Sequence, residues 1–380
     1  MIVELHAIQS FAPSNLNRDD TGSPKDCDFG GVRRARISSQ SLKRAMRRMF
    51  ADTDLVPADL RATRTRRIVG RIADVLAKRG LDRAEAEALA AGVLVAGGID
   101  VSEGLTGALV FLGGDECERL ADLAAANTDS ILGAAQTAEV AEVRRGSRPK
   151  SVTPPALKRG VEEALGRPQS VDVALFGRMI AELPTGNIDA AAQVAHAIST
   201  HRVDLDFDYY TALDDLAGPG ETGAAMVDTV EFNAATYYRY ATVDVGALQA
   251  RLADPEVVSL ALGAFLRAAV IAEPTGKQNS FAAHNPPSYV LAVVRDAGAW
   301  SLANAFLRPV RASAETDLVD RSIDALEGYW TRLADMYGTS GVDLTASISD
   351  RELPARAGIE RIADLDTLLA RVVSVTGRPA

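Results

Sequence analysis

The segment from Phe29 to Phe50 constrains this chain more than any other. It reads Phe-Gly-Gly-Val-Arg-Arg-Ala-Arg-Ile-Ser-Ser-Gln-Ser-Leu-Lys-Arg-Ala-Met-Arg-Arg-Met-Phe and holds seven basic residues and no acid. On a helical wheel started at Leu42, the residues Leu42, Ala45, Met46, Met49 and Phe50 fall on one side and Lys43, Arg44, Arg47 and Arg48 on the other. This is a helix with one stripe to bury and one cationic face. Ser38 and Ser39 stand before it as N-caps do, and its first turn adds partial positive charge from backbone N–H groups with no helical partner. Upstream, Gly30 and Gly31 permit close backbone approach, and Val32, Arg34 and Arg36 alternate with their neighbours as in a strand. A strand, a cap and a helix of this kind suit a bound phosphate. The same run also reads as a solvated basic face on an ordinary surface helix.

Charge makes the concentration informative. The whole chain carries a net charge of -10, so it is not a protein coated with nucleic acid on every side, yet one basic groove fits a polarised surface. Its 380 residues suffice for two or three structural units around sizeable cores. Cys27 and Cys117 are the only cysteines, too few for a disulfide framework or a cysteine-based zinc site. No apolar run has the length of a membrane span, and the start, Met-Ile-Val-Glu-Leu-His, lacks the pattern of a secretory signal. The expected setting is the cytoplasm, with no membrane partner.

Along the chain, Ile2 to Ile8 alternates as a strand with one buried face, which puts His6 outward. Phe11 to Asp28, rich in Pro, Ser, Asn, Asp and Gly, reads as a long loop. Leu55 to Gln169 turns to alanine, leucine and arginine at helical spacing, a helical insertion that also carries the cluster Arg61, Arg64, Arg66, Arg67 and Arg71. Val171 to Phe176 reads as a strand and Asn187 to Thr200 as a packed helix. Phe232 to Val243 and Ser288 to Arg295 read as strands, with helices around Val257 to Ile271 and from Leu365 to Val373. The order suits an α+β unit with helices on one face of an antiparallel sheet, and the ferredoxin-like arrangement of RNA-recognition modules fits best.

The chain has no P-loop, dinucleotide fingerprint, nucleophile elbow or zinc spacing. Its best enzymatic feature is His196, His201, Asp204, Asp206 and Asp208. Histidines five apart do not share a helix face, and alternate aspartates on a strand are either a divalent-cation edge or a solvated acidic one. Gly276 to Ser280 is a small polar loop with one cation. No cofactor and no metal is expected.

Several of these stretches carry a resemblance. Ser14-Asn15-Leu16-Asn17-Arg18-Asp19-Asp20, then Lys25-Asp26, then Phe29-Gly30-Gly31 through Arg36-Ile37-Ser38-Ser39-Gln40-Ser41-Leu42-Lys43-Arg44-Ala45-Met46-Arg47 closely resemble the backbone subunit of type I-E CRISPR Cascade, the CasC family. Val171 to Met179, Ala195 to Leu216 and Lys277-Gln278 extend the match, while Leu55 to Gln169 departs from it. The resemblance implies a hand-shaped α+β protein. Its modified RNA-recognition (ferredoxin-like) palm would comprise residues 1–56, 170–200 and 234–380, with helical fingers at 57–169 and a thumb hairpin at 201–233. Copies would stack head to tail along one CRISPR RNA, an antiviral filament whose guide pairs with target DNA beside other Cascade subunits. Lys25, Ser38, Gln40, Lys43 and Arg47 map onto the guide-gripping positions, Met179, Tyr210 and Thr211 onto the wedge that parts successive guide segments, and Lys277 and Gln278 onto a comparable polar loop. Arg18, Arg33, Arg34, Arg36 and Arg44 complete the expected RNA-contacting set.

The physics agrees. A guide of changing sequence has to be held through phosphates and sugars, and its bases stay open for pairing. The expected role is therefore a non-catalytic scaffold. Two other readings compete with it. One is a metal-dependent ribonuclease of a CRISPR effector, using Asp19, Asp20 or Asp26 or the Asp204 to Asp208 run. The other is a self-assembling structural protein that binds no nucleic acid.

Overall fold

A computed structural model describes residues 1–133, 154–212 and 226–377 of the chain. Residues 1–53, 192–245 and 262–380 form one compact unit, and residues 54–191 and 246–261 form another.

The first unit is α+β. Its central strand, Ile2–Ser14, runs antiparallel to the long strand Met226–Asp244 on one side and to Tyr289–Arg295 on the other. Beyond Tyr289–Arg295 lie Val342–Ser349 and the short parallel strand Glu360–Arg361. Beyond the long strand come Ala197–Ser199, then Val32–Ile37, then Asp26–Phe29 at the edge. Ile8 and the row Tyr289, Leu291 and Val293 pack on Leu326 and Trp330 of the helix Leu318–Tyr337. On the opposite face Leu5, Ala7 and Val290 meet Leu42 and Met46 of the helix Ser39–Asp52 together with Ala269 and Val270. Helices therefore cover both faces, not one.

That second cover corrects the reading of His6. The strand alternates, but both of its faces are interior, and His6 is fully buried. Its Nδ1 lies 2.9 Å from the Tyr238 hydroxyl, and its ring stacks on Tyr240 at 5.0 Å between centroids. Burial first, and Arg295 second, lower its pKa to about 3, so it is neutral at ordinary pH. Glu4 is buried beside it and pairs with the Arg295 guanidinium at 2.9 Å.

Three other elements differ from expectation. The first strand continues to Ser14, with its register shifting between Phe11 and Ser14, and Asp26–Phe29 pairs with Val32–Ile37. The expected long loop shrinks to residues 15–25. Gly30 and Gly31, at φ +64° and +77°, are the turn of that hairpin, and what Gly30 approaches is the chain itself, the Leu307 carbonyl. Asn187 to Thr200 holds the strands Ala192–Val194 and Ala197–Ser199 in place of a helix.

The second unit is a helical body. Ile68–Lys78, Arg83–Ala96, Gly114–Ala126 and Pro155–Leu165 share a core that includes Leu76, Leu89, Val93, Leu120 and Val161. Thr63–Thr65 pairs with Val110–Leu112 at its side. Val171–Phe176 is a short buried helix and not a strand, and the carboxylate of its Asp172 accepts from the Ala62 amide at 2.8 Å. Among the described residues, no helix is long and apolar enough to cross a membrane.

Candidate nucleic-acid interface

The helix Ser39–Asp52 organises the site. Ser38 is its N-cap, with the hydroxyl accepting from the Ser41 amide at 3.3 Å, and no acid occupies the first turn. Leu42, Ala45, Met46 and Phe50 are buried as the wheel requires, and Met49 is half-buried. The preceding loop is held against the helix start. Asn17 accepts from the Ser38 amide through its side chain at 2.8 Å and from the Lys25 amide through its carbonyl at 2.8 Å. Buried Asn15 donates to the carbonyls of Gly22 and Glu231, both at 2.9 Å. The Asp19 carboxylate is turned into its own loop, accepting from Thr21 and Ser23, and the Thr21 hydroxyl is the main cause of its lowered pKa.

Three segments then close a groove of about 620 Å³: residues 16–22, the helix face bearing Ser41, Arg44, Ala45 and Arg48, and the loop 274–277. Arg18, Arg44, Arg48 and Lys277 supply its cations, and Asp19 and Asp20 its acids. Arg48 also faces Asp52 at 3.8 Å, a solvent-exposed pair of little energetic weight. The third wall sits tight on the first, because a Cβ on Gly276 would collide with the Leu16 carbonyl oxygen. Lys277 takes a left-handed backbone, φ 52°, before the one-turn helix Gln278–Phe281. Gln278 itself is folded inward: its side chain donates to the Ala283 carbonyl at 3.1 Å and accepts from the Ala283 amide at 2.8 Å.

The other cations divide. Lys43 and Arg47 form a second row on the same helix, half-buried, and burial lowers the Lys43 pKa. Gln40 is exposed in the first turn. Lys25 and Arg36 gather with His196 at the helix start, where the Arg36 guanidinium lies 3.1 Å from the imidazole. Arg33 is exposed but paired with Asp26 at 2.6 Å. Arg34 is a correction to the expected set. It is fully buried, and its guanidinium donates to the carbonyls of Phe29, Ser199 and Phe306 at 3.2, 3.1 and 2.6 Å. Its charge fastens the hairpin to the sheet.

Tyr210 and Thr211 lie in Asp206–Ala212, which pairs with residues 226–232 of the long strand, and every residue of Asp206–Ala212 is exposed. As strand neighbours they face opposite sides, Tyr210 with Asp208 and Thr211 with Phe207 and Tyr209. Asp204 lies before the strand and pairs with Arg202 at 3.0 Å. Met179, in the second unit, is 77% exposed, whereas Arg178 and Ile180 on either side of it are buried. Arg178 anchors that loop through a fully buried ion pair with Glu116 at 2.6 Å and through the carbonyls of Phe111 and Gly186, each at 3.1 Å. The loop thus presents an exposed methionine between two buried neighbours.

The family described as CT1975-like protein matches residues 3–372 of the chain. The chain belongs to this family. No curated protein sequence matches it. Among solved structures, it is similar to a chain of a "CRISPR RNA-guided surveillance complex, pre-nicking", at 32% identity and a TM-score of 0.82, over 98% of this chain and 99% of the other. It is also similar to a chain of a "CRISPR RNA-guided surveillance complex", at 29% identity and a TM-score of 0.72, over 98% and 99%.

In this CT1975-like chain, the groove adds Ser41 and Arg48 to the residues expected from sequence, and the helix start adds His196. Arg48 was visible as part of the cationic face; at one helical turn from Arg44, it had to share that residue's wall. Nothing in the sequence tied His196 to Arg36, since the two meet only through pairing of Ala197–Ser199 with Val32–Ile37.

Proposed function

We propose that this CT1975-like chain is a non-catalytic backbone subunit of a type I-E CRISPR surveillance complex. Its copies bind one guide RNA, follow one another head to tail along it and present its bases to target DNA, beside other subunits of the complex. The observation that carries this reading is the groove along Ser39–Asp52, where Arg18, Arg44, Arg48 and Lys277 outnumber the acids in an otherwise acidic protein. Likeness over nearly the whole chain to subunits of RNA-guided complexes supports it.

The groove's groups suit phosphate and sugar, which carry no sequence information. Lys43 and Arg47 extend the cationic surface along the same helix, Lys25 begins it, and Gln40 adds a neutral polar group in the first turn. The strand Asp206–Ala212, paired with residues 226–232 of the long strand, belongs to the thumb, and Met179, Tyr210 and Thr211 act as wedges between guide segments. A contact from the thumb of one copy to another copy is heterologous and does not close, so the RNA sets the filament's length.

Protein purified without nuclease treatment is expected to carry RNA, seen in its ultraviolet absorbance ratio. Lys43→Ala with Arg47→Ala is expected to weaken binding of all RNA sequences alike and to flatten its dependence on salt. Normal binding by that double variant across a salt series removes the palm assignment.

A further inference from the structure

At the start of the helix Ser39–Asp52, two donors aim at a single acceptor. The Arg36 guanidinium lies 3.1 Å from His196 Nδ1, and the Ser39 amide lies 3.4 Å from the same atom. A guanidinium has only N–H groups and a backbone amide can only donate, so Nδ1 is the bare nitrogen of the ring. The proton therefore resides on Nε2. The direction of the His196 pKa agrees, lowered first by burial and then by Arg36 and Lys25. A second proton would have to sit on Nδ1, facing two donors.

The ring is exposed, as Gln40 is, and Lys25 is close enough to weigh on its charge. Arg36 is held in place from its other side, its Nε donating to the Asp26 carbonyl at 3.1 Å. An N–H that stays neutral is thus set among cations at a helix start without acids. We infer that His196 is an RNA-contacting residue that donates Nε2–H to a phosphate oxygen of the strand gripped by the palm. The inference rests on the guide-binding reading and assigns a neutral donor within it. Through Nδ1 the same ring also steadies Arg36 against the first turn.

The test uses the full chain and a single-stranded RNA of guide length, titrated over a salt series. His196→Ala removes both ring functions. His196→Asn keeps an acceptor near the Nδ1 position and loses the distal donor. Both variants are expected to bind about tenfold more weakly, the scale of one hydrogen bond to a charged group. Their slopes of log affinity against log salt should match the parent's, because a neutral donor releases no counterion. Lys25→Ala should lower that slope by about 0.7.

Parental affinity in His196→Ala overturns the inference. So does recovery in His196→Asn, which reduces the ring to a prop for Arg36, or a shallower slope in either His196 variant, which makes the imidazole a cation. Imidazole 15N spectra of the unaltered protein give an independent reading: a protonated Nε2 that shifts when RNA is added supports the contact, and a protonated Nδ1 ends it. If Lys25→Ala and the paired Lys43 and Arg47 variant also bind as the parent does, the guide-binding reading itself has failed.

Discussion

Two arginine runs, 33–48 in the first unit and 61–71 in the second, are nearly indistinguishable as sequence and are used differently. In the second run, Arg66 donates to the Thr106 carbonyl at 2.7 Å and Arg71 to the Leu112 carbonyl at 3.1 Å. They brace strands and turns of their own unit. Elsewhere in that unit arginines meet carboxylates: Arg79 with Glu118 and Asp122, Arg83 with Glu87, Arg119 with Asp115. In the first run Arg34 is spent the same way, on three carbonyls, but Arg44 and Arg48 line a groove walled by two further segments. A run of positive charge is therefore no site in itself. In the first unit separate parts of the chain close a concavity around it, while a guanidinium bound to carbonyls serves as framework.

The sharpest way to break this contrast is at Arg178, the extreme framework arginine. Arg178→Ala strands the buried Glu116 carboxylate and is expected to destabilise the second unit by about 3–5 kcal/mol, read by denaturant unfolding. A loss below about 1 kcal/mol would mean that the buried pair holds little together. Comparable in size over its full range is the acid response of the first unit. His6 has a folded pKa of about 3 against an ordinary 6.5, so the unfolded chain binds the extra proton. The His6 contribution to stability is complete above pH 6.5 and is lost at about 1.4 kcal/mol for each unit of pH below it, until about pH 3. Unfolding measured across that range in the parent and in His6→Phe checks it, since the variant should lose this part of the slope. The smallest effect on stability separates the two runs directly. Arg44→Ala with Arg48→Ala should leave stability within about 0.5 kcal/mol and reduce the salt slope of RNA binding by up to about 1.4. Arg66→Ala with Arg71→Ala should lower the unfolding temperature and leave that slope unchanged. The opposite pattern would exchange the roles of the two runs.

Much of this was legible in the sequence where one periodicity acts alone. The helix Ser39–Asp52, its cap at Ser38 and its buried stripe follow from residue types at fixed spacing, and so do the strands around Phe232 to Val243 and Ser288 to Arg295. Val171 to Phe176 failed because six mostly apolar residues make one turn and a half of buried helix as readily as a strand. Asn187 to Thr200 failed for another reason. Its alanines favour a helix locally, but pairing of Ile198 and Ser199 with Tyr238 and Tyr237 overrides that preference. His6 lies inside although its polarity suggests exposure, because a polar residue goes inside when a tyrosine hydroxyl waits there. For the groove, the cations on the helix were legible, whereas the burial of Arg34 and the closure by residues 274–277 depend on contacts between segments far apart in sequence.

The tight seat of Gly276 on Leu16 has one more consequence. At this point the loop 274–277 rests on the first wall backbone against backbone. Gly276→Ala would act like a shim under a door: no charge is removed and no cation is moved along its helix, yet the aperture changes.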